Sequence, residues 1–174
     1  NLRLLFSKRL VPHIILMTTA TGVIGLAMRF SMSHLFTNKY FLCCAFLVNA
    51  GILLSVRKYE NYKRWEEITW KDSVIVGILQ GCAFLPGISR SGITISGFLK
   101  RGFQKQQAFV LSFIMAIPVI LGAFIAECRN LNDLGLSPQM LAIGFAGAFI
   151  SGLAALKILK RVLMTRKFSN FSYY

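Results

Sequence analysis

Long apolar stretches alternate with short, strongly basic connectors along this chain. Five stretches run free of Asp, Glu, Lys and Arg for long enough to predict structure: residues 10–28, 40–56, 73–89, 106–126 and 134–156. Four approach the roughly 20 apolar residues that a helix needs to cross a bilayer core, with 40–56 barely reaching. The stretch 73–89 differs because Pro86-Gly87 interrupts it. The residues before that proline make about 20 Å of helix, and 91–99 beyond Arg90 make about 14 Å, at about 1.5 Å per residue. Neither half crosses a hydrocarbon core of about 30 Å. The pattern predicts an all-α membrane protein, a single domain over 1–174, with polytopic transmembrane helices and a re-entrant helix–break–helix hairpin at 73–99.

Charge placement agrees with re-entry. If the hairpin returns to its starting side, 16 of the 20 Lys and Arg fall on one face, leaving Arg29, Lys39 and Arg129 opposite and Arg90 in the break. A single crossing would move the segments 100–105 and 157–167 to the other face and erase the bias. Basic residues gather on the cytoplasmic side of membrane proteins, so the basic face is expected to be cytoplasmic and the hairpin tip to point outward. Trp65 and Trp70 are expected as interfacial anchors, Lys157, Lys160 and Arg161 as orientation charges, and pairs such as Lys63 with Glu67 as solvated.

Composition narrows the class further. Hydrophobic residues make up 55% and charged ones 15%, well below the quarter or so usual in soluble domains. The net charge of +14 would suit nucleic acid, but the cations flank apolar runs instead of lining one soluble face, so no nucleic-acid partner is expected. Cys43, Cys44, Cys82 and Cys128 lack metal-ligand spacing and are expected to be buried, inert thiols. His13 and His34 lack metal-spaced partners and are expected at the membrane interface. The start carries Arg3, Lys8 and Arg9 with no cleavage-site pattern, so no signal peptide is predicted. With no initial Met and an abrupt end at Tyr173-Tyr174, the chain is expected to be a piece of a longer protein.

The chemistry concentrates in Pro86-Gly87-Ile88-Ser89-Arg90-Ser91-Gly92. An arginine at membrane depth costs at least roughly 2.5–3.5 kcal/mol on insertion scales, so something should compensate it. Gly87 and Gly92 allow the backbone to bend and a ligand to approach closely. Ser91 is a candidate cap for the second half-helix, whose first N–H groups face the break. Helix start, glycines, hydroxyls and a guanidinium together make an anion site that suits phosphate. Thr94, one turn on and on the Ser91 face, is a further candidate ligand.

With those residues in view, the chain resembles the bacterial undecaprenyl-diphosphate phosphatases, the bacitracin-resistance membrane enzymes. The resemblance rests on Gln80, the Pro86–Gly92 loop, Thr94-Ile95-Ser96-Gly97, Ser112-Phe113, Ala116-Ile117-Pro118 and Ile120-Leu121-Gly122-Ala123. The tail Phe168, Phe171 and Tyr174 resembles the segment that leads into the family's last helix. Phe98, Lys100 and Arg101 depart from the pattern, which has a small residue and apolar ones at these places. The resemblance implies removal of the terminal phosphate of a polyprenyl diphosphate at the bacterial plasma membrane, recycling the carrier lipid for peptidoglycan synthesis. It assigns Arg90 to clamping the diphosphate, Ser89 and Ser91 to hydroxyl contacts with Ser89 the weaker candidate nucleophile, and Gly87, Gly92 and Thr94 to phosphate binding. It also implies a divalent metal, Mg²⁺ or Ca²⁺; assembly as a homo-oligomer is a separate expectation. The family's amino-terminal half, with its Glu-x-x-x-Glu element, has no counterpart here. Metal ligands are therefore expected outside this chain, and the piece is expected to be inactive alone.

Two other classes fit the pattern. A transporter or flippase could use the broken helix to bind an anionic headgroup, and a structural subunit could hold the break purely for packing.

Overall fold

The computed structural model describes residues 8–31, 39–56, 62–128 and 137–164. They form an all-helical membrane protein of six helices: α1 (Leu10–Ser31), α2 (Lys39–Ser55), α3 (Trp70–Cys82), α4 (Arg90–Lys100), α5 (Lys105–Cys128) and α6 (Pro138–Met164). A single 3-10 turn at Trp65–Glu67 precedes α3. Three helices are long and apolar enough to cross a membrane, over Leu10–Met28, Lys105–Ala126 and Gln139–Met164. The apolar stretch of α2 has only 17 residues, in keeping with its marginal length in the sequence. The last helix begins at Pro138, later than the expected stretch 134–156, and it continues through Lys157, Lys160 and Arg161. Those cations occupy its final turns instead of a connector.

The expected break lies between α3 and α4, and the ends of each half have local causes. Thr69 caps α3: its hydroxyl accepts from Asp72 N at 3.3 Å while Thr69 N donates to Asp72 Oδ2 at 2.9 Å, a capping box. At the other foot, Gly102 takes a positive φ of 90°. Gly102 N donates to Leu99 O at 3.0 Å and Phe103 N to Phe98 O at 3.1 Å. This is a Schellman ending, sealed by the Phe98 and Phe103 rings with centroids 5.3 Å apart.

The two feet meet. Arg101 Nε donates to Asp72 Oδ1 at 2.6 Å, and Lys63 Nζ donates to the other carboxylate oxygen. Lys63 N donates to Gly102 O and Gln104 N to Lys63 O, both at 3.0 Å. An uninterrupted helix would hold residues 72 and 101 about 40 Å apart. The hairpin therefore returns to its starting level, as the charge count required. Lys63 pairs with Asp72 and not with Glu67, which accepts from Arg64 N at 2.7 Å.

Helix α3 lies along α1 with the same chain direction. Its Gly77 and Gly81 form a smooth face: a Cβ at Gly77 would sit 2.8 Å from Met17 O, and one at Gly81 would sit 2.6 Å from Ile24 Cβ. Small residues spaced in this way let membrane helices approach to backbone contact. Polar bonds reinforce the seam, Thr21 Oγ1 donating to Gly77 O at 3.0 Å. His13 also belongs to it. It is buried within the protein, its Nδ1 sharing a hydrogen bond of 2.9 Å with Ser73 Oγ and its ring lying 4.4 Å from that of Trp70. Trp70 itself is exposed, whereas Trp65 packs against the core. His34 lies outside the described residues.

The apolar core gathers at the basic end, where Leu10, Val56, Ile68, Phe98, Phe103, Leu111 and Leu163 interlock. Away from it the helices bare apolar side chains, with residues 139–158 of α6 exposed throughout. Cys43 and Cys44 share that bareness. They are exposed, and Cys82 is only partly buried, which corrects the expectation of buried thiols. With lipid as solvent, an apolar thiol has no need of a protein interior.

Candidate functional site: the break between the half-helices

The break is built from tight turns. Pro86 and Gly87 occupy the centre of a turn closed by Ile88 N donating to Leu85 O at 3.3 Å, with φ of Gly87 at +90°. Proline followed by a glycine with positive φ marks a type II turn. The loop is wedged between two helices. On one side Phe84 covers Gly25 of α1 so closely that a Cβ there would fall 2.5 Å from its ring. On the other, a Cβ at Gly87 would meet Ala45 Cβ of α2 at 2.9 Å, and one at Gly92 would meet Leu53 Cδ2 at 3.3 Å. The close approach these glycines permit is thus to α2, where the sequence suggested a ligand.

Ser89 caps α4. Its Oγ accepts from Gly92 N at 3.1 Å, so the cap is Ser89 and not Ser91. Ser89 O accepts from Ile93 N at 2.9 Å. Ser89 N donates to Asn49 Oδ1 of α2 at 3.0 Å. Asn49 lies ten residues past Lys39 along α2, about 15 Å into that helix. The α4 terminus therefore sits opposite the middle of an apolar helix. Arg90 and Ser91 occupy its first turn, and among the described residues neither backbone N–H has a partner. These are orphan donors of a helix start, aligned with its positive dipole end. Arg90 is half-buried, and among the described residues no carboxylate pairs with its guanidinium. Ser91 is half-buried and Ser89 exposed. The α4 start thus carries a cation, two backbone donors without partners among the described residues and two hydroxyls, groups whose chemistry suits an anion.

Comparison with known proteins decides the family. The model for the bacitracin resistance protein BacA family matches residues 5–174. The chain belongs to that family. It is 38% identical over 171 residues to an undecaprenyl-diphosphatase of Alkaliphilus metalliredigens, covering 96% of this chain and 62% of the relative. Against the undecaprenyl-diphosphatase of Carboxydothermus hydrogenoformans it is 38% identical over 172 residues, covering 95% and 66%. Against that of Thermotoga petrophila it is 39% identical over 173 residues, covering 99% and 70%. The chain thus spans a little under two thirds of the length of the first two relatives.

Within this BacA-family chain, the structure brings Ser89, Arg90 and Ser91 together at the α4 start and leaves Thr94 behind it. Thr94 is fully buried, its hydroxyl donating to Arg90 O at 2.8 Å and sharing a bond of 2.5 Å with Ser112 Oγ of α5. It braces the Arg90 backbone and does not face the break, which corrects its expected place as a phosphate ligand. Gly92 N–H is likewise spent on the Ser89 cap. Gln80 is buried against α1, its Nε2 donating to Thr21 Oγ1 at 3.4 Å. Two residues escaped the sequence reading. Asn49 was findable as the one carboxamide in the stretch 40–56, since polar side chains within spans call for partners. Asp72 was findable from Thr69-x-x-Asp72, a capping-box spacing, although its pairing with Arg101 across 29 residues left no local trace.

The residues described do not fit the divalent metal that the family resemblance implies. Among them no group of three or more His, Cys, Asp or Glu could hold one, and Asp72 is committed to Lys63 and Arg101 at the opposite end of the hairpin.

Proposed function

We propose that this chain supplies the diphosphate-gripping part of an undecaprenyl-diphosphate phosphatase, an enzyme that regenerates undecaprenyl phosphate for peptidoglycan synthesis and thereby confers bacitracin resistance. The observation that carries the reading is Arg90, half-buried at the start of α4 with no counter-ion among the described residues. The relatives are undecaprenyl-diphosphatases by name, which favours hydrolysis over carriage of a headgroup.

In this reading the guanidinium grips the diphosphate through two parallel N–H···O contacts, a geometry Lys cannot reproduce. The Arg90 and Ser91 N–H groups and the Ser91 hydroxyl face the terminal phosphoryl oxygens. Phosphoryl transfer spreads charge over three equatorial oxygens, so donors fixed before reaction lower its barrier. Water attacks the terminal phosphorus, the bridging P–O bond breaks, and inorganic phosphate leaves polyprenyl phosphate behind. Ser89 suits the part of hydroxyl donor better than nucleophile. Its oxygen already accepts from Gly92 N, and an attacking serine needs an adjacent base, which the described residues do not provide.

The bare apolar flanks of α5 and α6 suit the polyprenyl tail. In the same reading the protein works in the bacterial plasma membrane as a multi-pass protein with its basic face cytoplasmic, and the exposed α6 flank suits a homo-oligomer. The carboxylates that would hold Mg²⁺ or Ca²⁺ are assigned to segments outside the described residues, and the ion would neutralise charge on the phosphoryl oxygens.

The test is phosphate release from a long-chain polyprenyl diphosphate by the full-length protein. Arg90→Ala is expected to lower turnover roughly a hundredfold or more while leaving the melting temperature within a few degrees. Normal turnover in that variant would remove the assignment.

A further inference from the structure

Asn49 reaches the α4 start from a different helix. Its Oδ1 accepts from Ser89 N at 3.0 Å. A backbone N–H can only donate, so the carboxamide oxygen must face Ser89 and the amide orientation is settled by chemistry. The side-chain nitrogen is left over. Among the described residues Asn49 Nδ2 has no hydrogen-bond partner, and it is not among the buried polar atoms lacking one. Among the described residues, two N–H donors therefore stand open beside Ser89, next to Arg90, which has no ion-pair partner there. A carboxamide half-way along an apolar helix is costly unless both its ends find partners. Ser89 satisfies one end.

We propose that Asn49 is a substrate-binding residue: its Oδ1 locks the Ser89 cap in place, and its Nδ2 donates to a diphosphate oxygen held by Arg90. This rests on the phosphatase reading for the identity of the anion. It adds α2 to the site, so that the α2–α4 seam sets how tightly the diphosphate is held.

The experiment uses the full-length protein and its Asn49→Leu and Asn49→Asp variants. Phosphate release from a polyprenyl diphosphate gives kcat and KM, and inorganic pyrophosphate is titrated separately for protection against thermal unfolding. Leucine removes both acceptor and donor. Aspartate keeps an oxygen for Ser89 N–H and replaces the donating amide with a carboxylate. Both variants are expected to raise KM, and the pyrophosphate needed for half-protection, by roughly tenfold or more, the weight of a hydrogen bond to a charged group. The unliganded melting temperature of Asn49→Asp is expected near the wild-type value, and kcat is expected to change less than KM. Wild-type KM and protection in Asn49→Asp would overturn the donor role, even if Asn49→Leu fails to fold. A wild-type protein that is protected by pyrophosphate but releases no phosphate sinks the phosphatase reading alone, and Asn49 is then judged by protection. A wild-type protein that pyrophosphate does not protect overturns the inference about Asn49.

Discussion

At the scale of single residues, the loop is fixed by close packing at Gly87. Gly87 combines a positive φ with a neighbour, Ala45 Cβ, only 2.9 Å from where its own Cβ would stand. Gly87→Ala is therefore expected to cost about 1–2 kcal/mol for the left-handed backbone, with overpacking adding about 1–3 kcal/mol. A fall in the melting temperature measures it. An unchanged melting temperature would mean that α2 can yield, and the wedge described above would not hold. The Pro-Gly turn and Arg90 were legible in the sequence because their signals are local. The cap was not. Ser89 and Ser91 are both good caps, and the choice between them is bound up with Asn49 accepting from Ser89 N, 40 residues away. Thr94 was misplaced for the same reason, since Ser112, which engages its hydroxyl, belongs to α5.

At the scale of elements, the hairpin stands on Asp72. Burial alone would push that carboxyl up, but hydrogen bonds from Lys63, Arg101 and Thr69 outweigh it and hold the group below its ordinary value of 3.8. A depressed folded-state value means that the carboxylate stabilises the fold at all pH values above the unfolded one. That contribution drains away as pH falls below about 4. The melting temperature of the wild-type protein is thus expected to fall between pH 5 and 3 more steeply than that of Asp72→Asn, which should already be lower at pH 7. Parallel curves for the two proteins would show that the ion pairs add no stability. Helix lengths, the break and the hairpin were readable from apolar runs, because lipid demands a fixed length of apolar helix. The clamp at its feet needed coordinates, since Arg101 looked in sequence like one more flanking charge.

At the scale of the whole molecule, the decisive relation is that α3 and α4 begin and end at one level. Lys71 and Lys100 flank the hairpin, and both are exposed. In a version of the protein lacking its native cysteines, Lys71→Cys and Lys100→Cys should react with a membrane-impermeant thiol reagent added from the same side. The positive-inside rule leads us to expect that side to be the cytoplasmic one. Opposite-sided labelling would require the segment between them to cross the bilayer, and Asp72 could not then reach Arg101. The consequence extends to Arg90. With the feet fixed on the basic face and 13 residues in α3, the loop rises only about 20 Å. A reagent at residue 90 introduced as Arg90→Cys should accordingly react more slowly than at either foot, from whichever side it is added. Equal rates at all three positions would place the guanidinium in open water, where an arginine needs no anion to justify it.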